Sequence, residues 1–485
     1  MAQLRVVGSR VGVRTALSRM PFRYGIVTVR SAPVATLELT IETERGERAT
    51  GYSADFLAYR WFDKRPGVSL IDNVADLLRA IDLAVLAYRE AGCRSAFELW
   101  RSCGAELANG DAAAGLNDLT RSFGLSMPER AVIDAMGRLL GRTVAELLAG
   151  NAPGIQLGQL DRELGTVQPG AILPQRPLDR IMVRHTVGLV DPITALDVPE
   201  GGRVRDGLPQ TLEEYLEVDA LRFLKVKLSG TLDADLDRLG QISTQLSGRA
   251  LPSAVTLDGN EQYRELEPFA ELMDRLRCTP ALRHLYDAIL FVEQPLDRSV
   301  ALAPDAARLL RRLEKPVIID EADGTLDAFR TAVALGYRGV SHKNCKGVTK
   351  SLLNLARARR LNAELGAERY FLSAEDLTTL PVVPLQSDLA VAALLGITHV
   401  ERNGHHYFFG LDHLSPDERA RALACHPDLY GPYGGSAVLR IRDGALEVGS
   451  LQTPGMGFEP IPDMEAMTPP QEWLADHVSE ASLGS

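Results

Sequence analysis

Hydrophobic residues follow two different periods along this chain, and the change of period divides it. Residues 1–60 carry apolar residues at every second position, as in VATLELTIETERG and ERATGYSADFL, with a turn-like ERGE between them. That alternation predicts antiparallel strands. LRVVGSRVGVR reads as the first strand and RMPFRYG as the loop after it. Residues 73–150 switch to a helical period, as in NVADLLRAIDLAVLAYREAG and PERAVIDAMGRLLGRTVAELLAGN. Strands followed by a run of helices predict a separate α+β domain over 1–150. The Gly- and Pro-rich GNAPGIQLGQL and VQPGAILPQRP read as the connection to the next domain.

From about 180 short apolar strands alternate with amphipathic helices. The strands are IMVRHTVGL, LRFLKVKL, AVTLDGN, AILFVEQP, PVIID, GVSHK, FLSAED and HVERN. Eight βα units with apolar strands predict a closed parallel barrel over 175–425. Residues 426–485 return to β-like sequence, AVLRIRDGALEVGSL, expected as a hairpin that packs back on the first domain. The fold class is therefore α/β: a TIM-type (β/α) barrel with an N-terminal α+β capping domain completed by the C-terminal tail.

Composition narrows the function. A chain of 485 residues, 45% apolar and 24% charged, suits a large soluble barrel plus a second domain. A net charge of −11 argues against nucleic acid and anionic lipid as partners. No apolar run reaches the length of a membrane span. Five scattered cysteines without a Cys-x-x-Cys spacing fit a reducing cytoplasm. Residues 1–37 have arginines, serines and no acid before Glu38, the composition of a transit peptide, but their alternation favours a strand.

The candidate chemistry lies at strand ends. Asp258, Glu293 and Asp320 end three successive strands, Lys225 and Lys227 lie on the strand before them, and Lys343 follows on the sixth. Active sites of such barrels sit at the C-terminal ends of the strands, so these residues predict one polar site at one mouth. Carboxylates without neighbouring His or Cys suit Mg²⁺ rather than zinc. Lys225 and Lys227 point to the same side of one strand, where mutual repulsion would lower a pKa and make one of them a usable base. A lysine on each side of a metal-bound carboxylate predicts removal and return of an α-proton through an enediolate.

The motifs KVK, LDGNEQY, FVEQP, IDEADG and SHKNCKG together resemble the enolase superfamily, its muconate-lactonizing and mandelate-racemase-like group in particular. The resemblance implies that Asp258, Glu293 and Asp320 bind Mg²⁺, that Lys227 and Lys343 form the acid/base pair, and that Lys225 tunes Lys227. It also implies supporting roles for Asn260 and Glu321, and a strand-end role for Glu375, for which helix capping is the alternative. Arg23 in RMPFRYG and the segment after Gly51 fall where the cap of this superfamily meets substrate. His405 and His406, after the eighth strand, are read as stacked or solvated, with substrate contact as the alternative. The activity implied is a racemase, epimerase or cycloisomerase acting on a small carboxylate in a homo-oligomer. A dehydratase acting by β-elimination and a non-catalytic binding barrel are the alternatives.

Overall fold

The computed structural model describes residues 3–24, 27–247, 254–265 and 267–477. Gly25 of RMPFRYG, Leu266 and residues 478–485 of the tail lie outside the described residues. Three strands open the chain: β1 (Leu4–Tyr24), β2 (Val27–Thr43) and β3 (Arg48–Phe56), antiparallel in the order β1-β2-β3. Residues 19–24 of RMPFRYG are not a loop but the end of β1. A register shift between Leu17 and Phe22 absorbs the irregularity, and pairing with β2 resumes from Phe22 to Tyr24.

Three helices, α1 (Leu70–Glu90), α2 (Ala96–Asn109) and α3 (Asp118–Leu140), cover this sheet. Ser69 and Ser95 begin the first two with full capping boxes, and Asn117 caps the third. The sequence places a helix start near Pro128, yet α3 begins ten residues earlier and carries Pro128 inside it. Close packing holds the helix through the proline. A Cβ on Gly124 would come within 2.4 Å of the Ala80 carbonyl of α1, and one on Gly51 within 2.2 Å of Ala131. Only glycine permits these two approaches.

The barrel strands are β4 (Arg180–Val187), β5 (Phe223–Lys227), β6 (Ala254–Asp258), β7 (Ile289–Glu293), β8 (Val317–Ile319), β9 (Gly339–His342), β10 (Phe371–Ala374) and β11 (His399–Arg402). They pair in parallel and in sequence order, and β11 closes the ring on β4. The chain thus has the TIM-type barrel and the α+β cap that its periodicity predicts. The C-terminal β-like run departs from the expected hairpin. β12 (Tyr430–Tyr433) pairs with β13 (Ser436–Leu439), whereas β14 (Ala445–Glu447) adds antiparallel to the barrel strand β4. It is the later tail that meets the cap, through a Val13–Thr468 bridge, Trp473 to Thr15 and Glu459 to Arg138. Among the described residues, no helix is long and apolar enough to cross a membrane.

Candidate active site

The C-terminal ends of the barrel strands gather a dense ionic cluster. Because side chains alternate along a strand, Lys225 and Lys227 of β5 both face the barrel axis, as the sequence predicts. Five buried carboxylates, Asp258, Glu293, Asp320, Glu375 and Glu401, meet five buried cations, Arg184, Lys225, Lys227, Lys343 and Lys346. Lys227 Nζ lies 2.6 Å from Asp258 Oδ2, and Lys343 Nζ 2.7 Å from Asp320 Oδ2. Strands β5 and β9, which lead to these two lysines, are four apart in a ring of eight and so lie on opposite sides of the mouth.

Lys225 behaves differently from expectation. Its ammonium is ringed by Asp258 at 2.9 Å, Glu293 at 2.6 Å, Glu375 at 2.8 Å and Glu401 at 2.7 Å. Burial disfavours the charge, but the four carboxylates outweigh it and hold its pKa well above the ordinary value. Repulsion from a neighbouring lysine is thus not what governs it. Glu375 is no helix cap. It accepts from Arg184 at 2.6 Å and from Lys225, and these cations hold its pKa down against burial.

The proposed metal ligands differ in their surroundings. Burial raises the pKa of Asp258 and of Asp320, yet lysines pull both below the usual range: Lys225 and Lys227 for the first, Lys343 and Lys346 for the second. Glu293 is pushed well above it by burial and by Asp258 and Glu375. Both of its carboxylate oxygens are buried without a hydrogen-bond donor, although Lys225 lies within ion-pair distance. Among the described residues, no three acidic, His or Cys side chains are already drawn into a coordination set. The donor chemistry nevertheless fits a hard divalent cation: three carboxylates on adjacent strand ends, one with both oxygens free of donors.

Asn260 and Glu321 lie beside this group. Asn260 donates to Glu321 Oε1 at 3.3 Å while its own Oδ1 is buried without a partner. Glu321 is pushed up to about 7 by burial and by the charges of Glu261 and Asp320. Asn260, Glu261 and Gln294 all have positive φ, at 41°, 67° and 33°. Three non-glycine residues in that region, just past adjacent strand ends, mark a locally strained mouth. Gln294 also ties strands together, since its Oε1 accepts from the backbone of Asp320 at 2.9 Å.

The cap closes over these groups. Phe22 of β1, Phe56, Ala58 and Trp61 line a narrow cleft of about 20 Å³ with Lys227, Asn260, Asp320 and Lys343. The Trp61 ring lies 4.2 Å from Lys343 Nζ, a cation–π contact. Phe22 faces the cleft, whereas its neighbour Arg23 is exposed and is not brought to it. His405 and His406 pack edge-on against His185 and Tyr215.

The likenesses among known proteins point the same way. One curated relative, an L-Lys-D/L-Arg epimerase from Methylococcus capsulatus, is 32% identical over 250 residues. The alignment covers 47% of this chain, and the chain spans 59% of that relative's length. No protein-family model matches. A dipeptide epimerase from Enterococcus faecalis, solved with Mg and L-Leu-L-Tyr, superposes with a TM-score of 0.61 at 14% identity, covering 94% of this chain and 100% of that one. The chain has the enolase-superfamily fold. An enolase from Bradyrhizobium, solved with magnesium and mandelic acid, gives a TM-score of 0.59 at 17% identity over 95% of this chain and 96% of that one. A muconate lactonizing enzyme from Pseudomonas fluorescens, complexed with muconolactone, gives 0.57 at 17% identity over 94% and 97%.

Several groups in this barrel escape local sequence reading. Glu401 lies within HVERN and Lys346 within SHKNCKG, but nothing in either run shows that they face the axis. Arg184, buried on β4, donates to Thr256, Ser373, the Ala374 carbonyl and Glu375. An Arg in an otherwise apolar strand was the available signal, because buried arginine requires partners.

Proposed function

We propose that this protein is a Mg²⁺-dependent enzyme that removes the proton α to a carboxylate and returns one to the opposite face, as a racemase or epimerase does. The observation that carries this reading is the placement of Lys227 and Lys343 across the mouth, with Asp258, Glu293 and Asp320 on the three strand ends between them. The three acids would hold the metal, which when bound would draw charge from the substrate carboxylate and acidify its neighbouring C–H bond.

The protein's own groups supply the rest. One lysine, as neutral amine, takes the α-proton, and the C–H electron pair moves onto the carboxylate. The ammonium of the other lysine gives a proton to the opposite face, so configuration inverts with no atom gained or lost. A divalent ion held by the acids would add positive charge at the mouth, which suits a carboxylate substrate. Phe22, Phe56 and Trp61 exclude water over the lysines. The cleft is far smaller than the roughly 300–1,000 Å³ of ordinary ligand pockets, so the cap must part to admit substrate. A base on each face favours inversion over β-elimination, which needs one base, and the epimerase relative points to the same outcome.

The test is α-deuteration. The protein, Mg²⁺ and a panel of chiral α-substituted carboxylates, dipeptides included, are incubated in D₂O and followed by proton NMR. Loss of the α-proton signal from at least one member is expected. Absence of exchange from every member, with Mg²⁺ binding intact, would favour a barrel that binds without turnover.

A further inference from the structure

We propose that a second cavity, between the cap helices and the barrel, binds an organic anion with a compact apolar body. The cavity has a volume of about 360 Å³, within the range of small-molecule sites, roughly 300–1,000 Å³. Trp100 of α2, Leu125 of α3 and Leu326 of the loop after β8 supply apolar wall. Lys346 and Lys350 also line it, and each is only 3% exposed.

The charged groups that line this cavity are mostly cationic, Arg101, Arg121, Lys346 and Lys350 against Asp118. Lys350 donates to the Asp323 carbonyl and lies 3.2 Å from its carboxylate, which Lys346 also approaches at 3.6 Å. Lys346 reaches Asp320 Oδ1 at 2.9 Å, but Asp320 already holds Lys343. Among the described residues Asp323 is the carboxylate that pairs with Lys350, and Lys346 shares it. At the rim, Arg121 lies 3.5 Å from the largely exposed Asp118, and Arg121 Nε is buried without a partner. Burial pulls the Lys350 pKa below its ordinary value despite Asp323, the response of an ammonium short of counter-charge. An anionic head group would provide that charge, and the apolar walls would take up its hydrocarbon part. Lys346 stands between this cavity and the mouth, whereas Lys350 contacts none of the five mouth carboxylates. The cavity is thus separate from the catalytic proposal, and its test needs no turnover.

Isothermal titration of the full chain with decanoate, below its micelle concentration, is the measurement. Saturable binding at one site is expected, with decanol and acetate each at least tenfold weaker. Lys350→Met removes the charge at similar volume, and Ala105→Trp covers the cavity from an exposed position on α2. Each variant should weaken decanoate at least tenfold. Decanol binding as tightly as decanoate, an unchanged affinity in Ala105→Trp, or no saturable binding below millimolar concentration would overturn the proposal.

Discussion

Replacing Glu293 by Gln removes a buried charge that the folded protein partners poorly, so it should separate stability from metal affinity. Both Glu293 oxygens lack a hydrogen-bond donor, and only Lys225 approaches, at 2.6 Å. Gln keeps the volume and removes the burial penalty on the charge and the repulsion from Asp258 and Glu375 that push this carboxyl up, where one pKa unit corresponds to about 1.4 kcal/mol. Lys225 would keep Asp258, Glu375 and Glu401, so the substitution leaves no cation alone. In EDTA the variant should therefore be more stable than the parent by about 1–3 kcal/mol. For a chain this long the entropy of unfolding converts that to roughly 1 °C per kcal/mol, hence a Tm rise of about 1–3 °C. Mg²⁺ at about a hundred times its Kd stabilises the parent by about 2.7 kcal/mol and should leave the variant unchanged. Thermal melts of both proteins, with EDTA and with Mg²⁺, read all four states. A lower Tm for the variant in EDTA would make Glu293 chiefly a structural partner of Lys225. An equal Mg²⁺ shift in both proteins would remove it from the metal site.

Two further outcomes follow from groups around the mouth. Arg298 pairs with Glu261 at 2.7 Å and donates to the carbonyls of Trp61 and Phe62 at 2.7 and 2.8 Å, fastening the cap segment to the barrel. Charged hydrogen bonds contribute about 1.5–3 kcal/mol, so Arg298→Ala should speed hydrogen exchange over residues 57–66 by roughly tenfold or more; unchanged exchange there would show that the latch holds nothing. The Asp219 carboxyl, in the lining of another cavity that also includes His405, is pushed up to about 7 by burial. The folded state then keeps a proton that the unfolded chain releases near pH 4, so this group's contribution falls as pH rises from about 4 to 7 and the penalty is complete above 7. Asp219→Asn should stabilise the fold at pH 8, by no more than about 4 kcal/mol given partial exposure, and leave stability unchanged at pH 4. A gain of equal size at both pH values would refute the assignment.

The barrel was readable because each strand carries its own local record: a short apolar run, a terminal polar residue, then a helical period. Register followed, since β5 to β11 pair in sequence order and bring Asp258 opposite Lys227 and Glu293. What local sequence conceals is who partners whom across the ring. Lys225 looks like the neighbour of Lys227, yet its charge is held by Asp258 and Glu293 on the next two strands and by Glu375 and Glu401, 150 and 176 residues later. The cap was legible in kind but not in detail. RMPFRYG has the look of a loop, because Pro and Gly punctuate it, whereas long pairing with β2 carries the strand through a register shift. The same alternation turns Phe22 to the cleft and leaves Arg23 exposed, so the charged residue was the natural but less apt choice. AVLRIRDGALEVGSL reads as one hairpin, and it is divided because the first residues of β4, Arg180–Met182, extend beyond the pairing with β5 and take up β14.

The central claim, that Lys227 and Lys343 work on opposite faces of one α-carbon, is tested by following solvent deuterium into each enantiomer of an exchanging carboxylate. Lys227→Ala should stop exchange from one hand and spare the other, and Lys343→Ala should do the reverse. Each blocked direction should slow by about 10²- to 10⁴-fold, the usual loss on removing a general base. If both variants exchanged both hands within a few-fold of the parent, neither lysine would be the base and the account would fail.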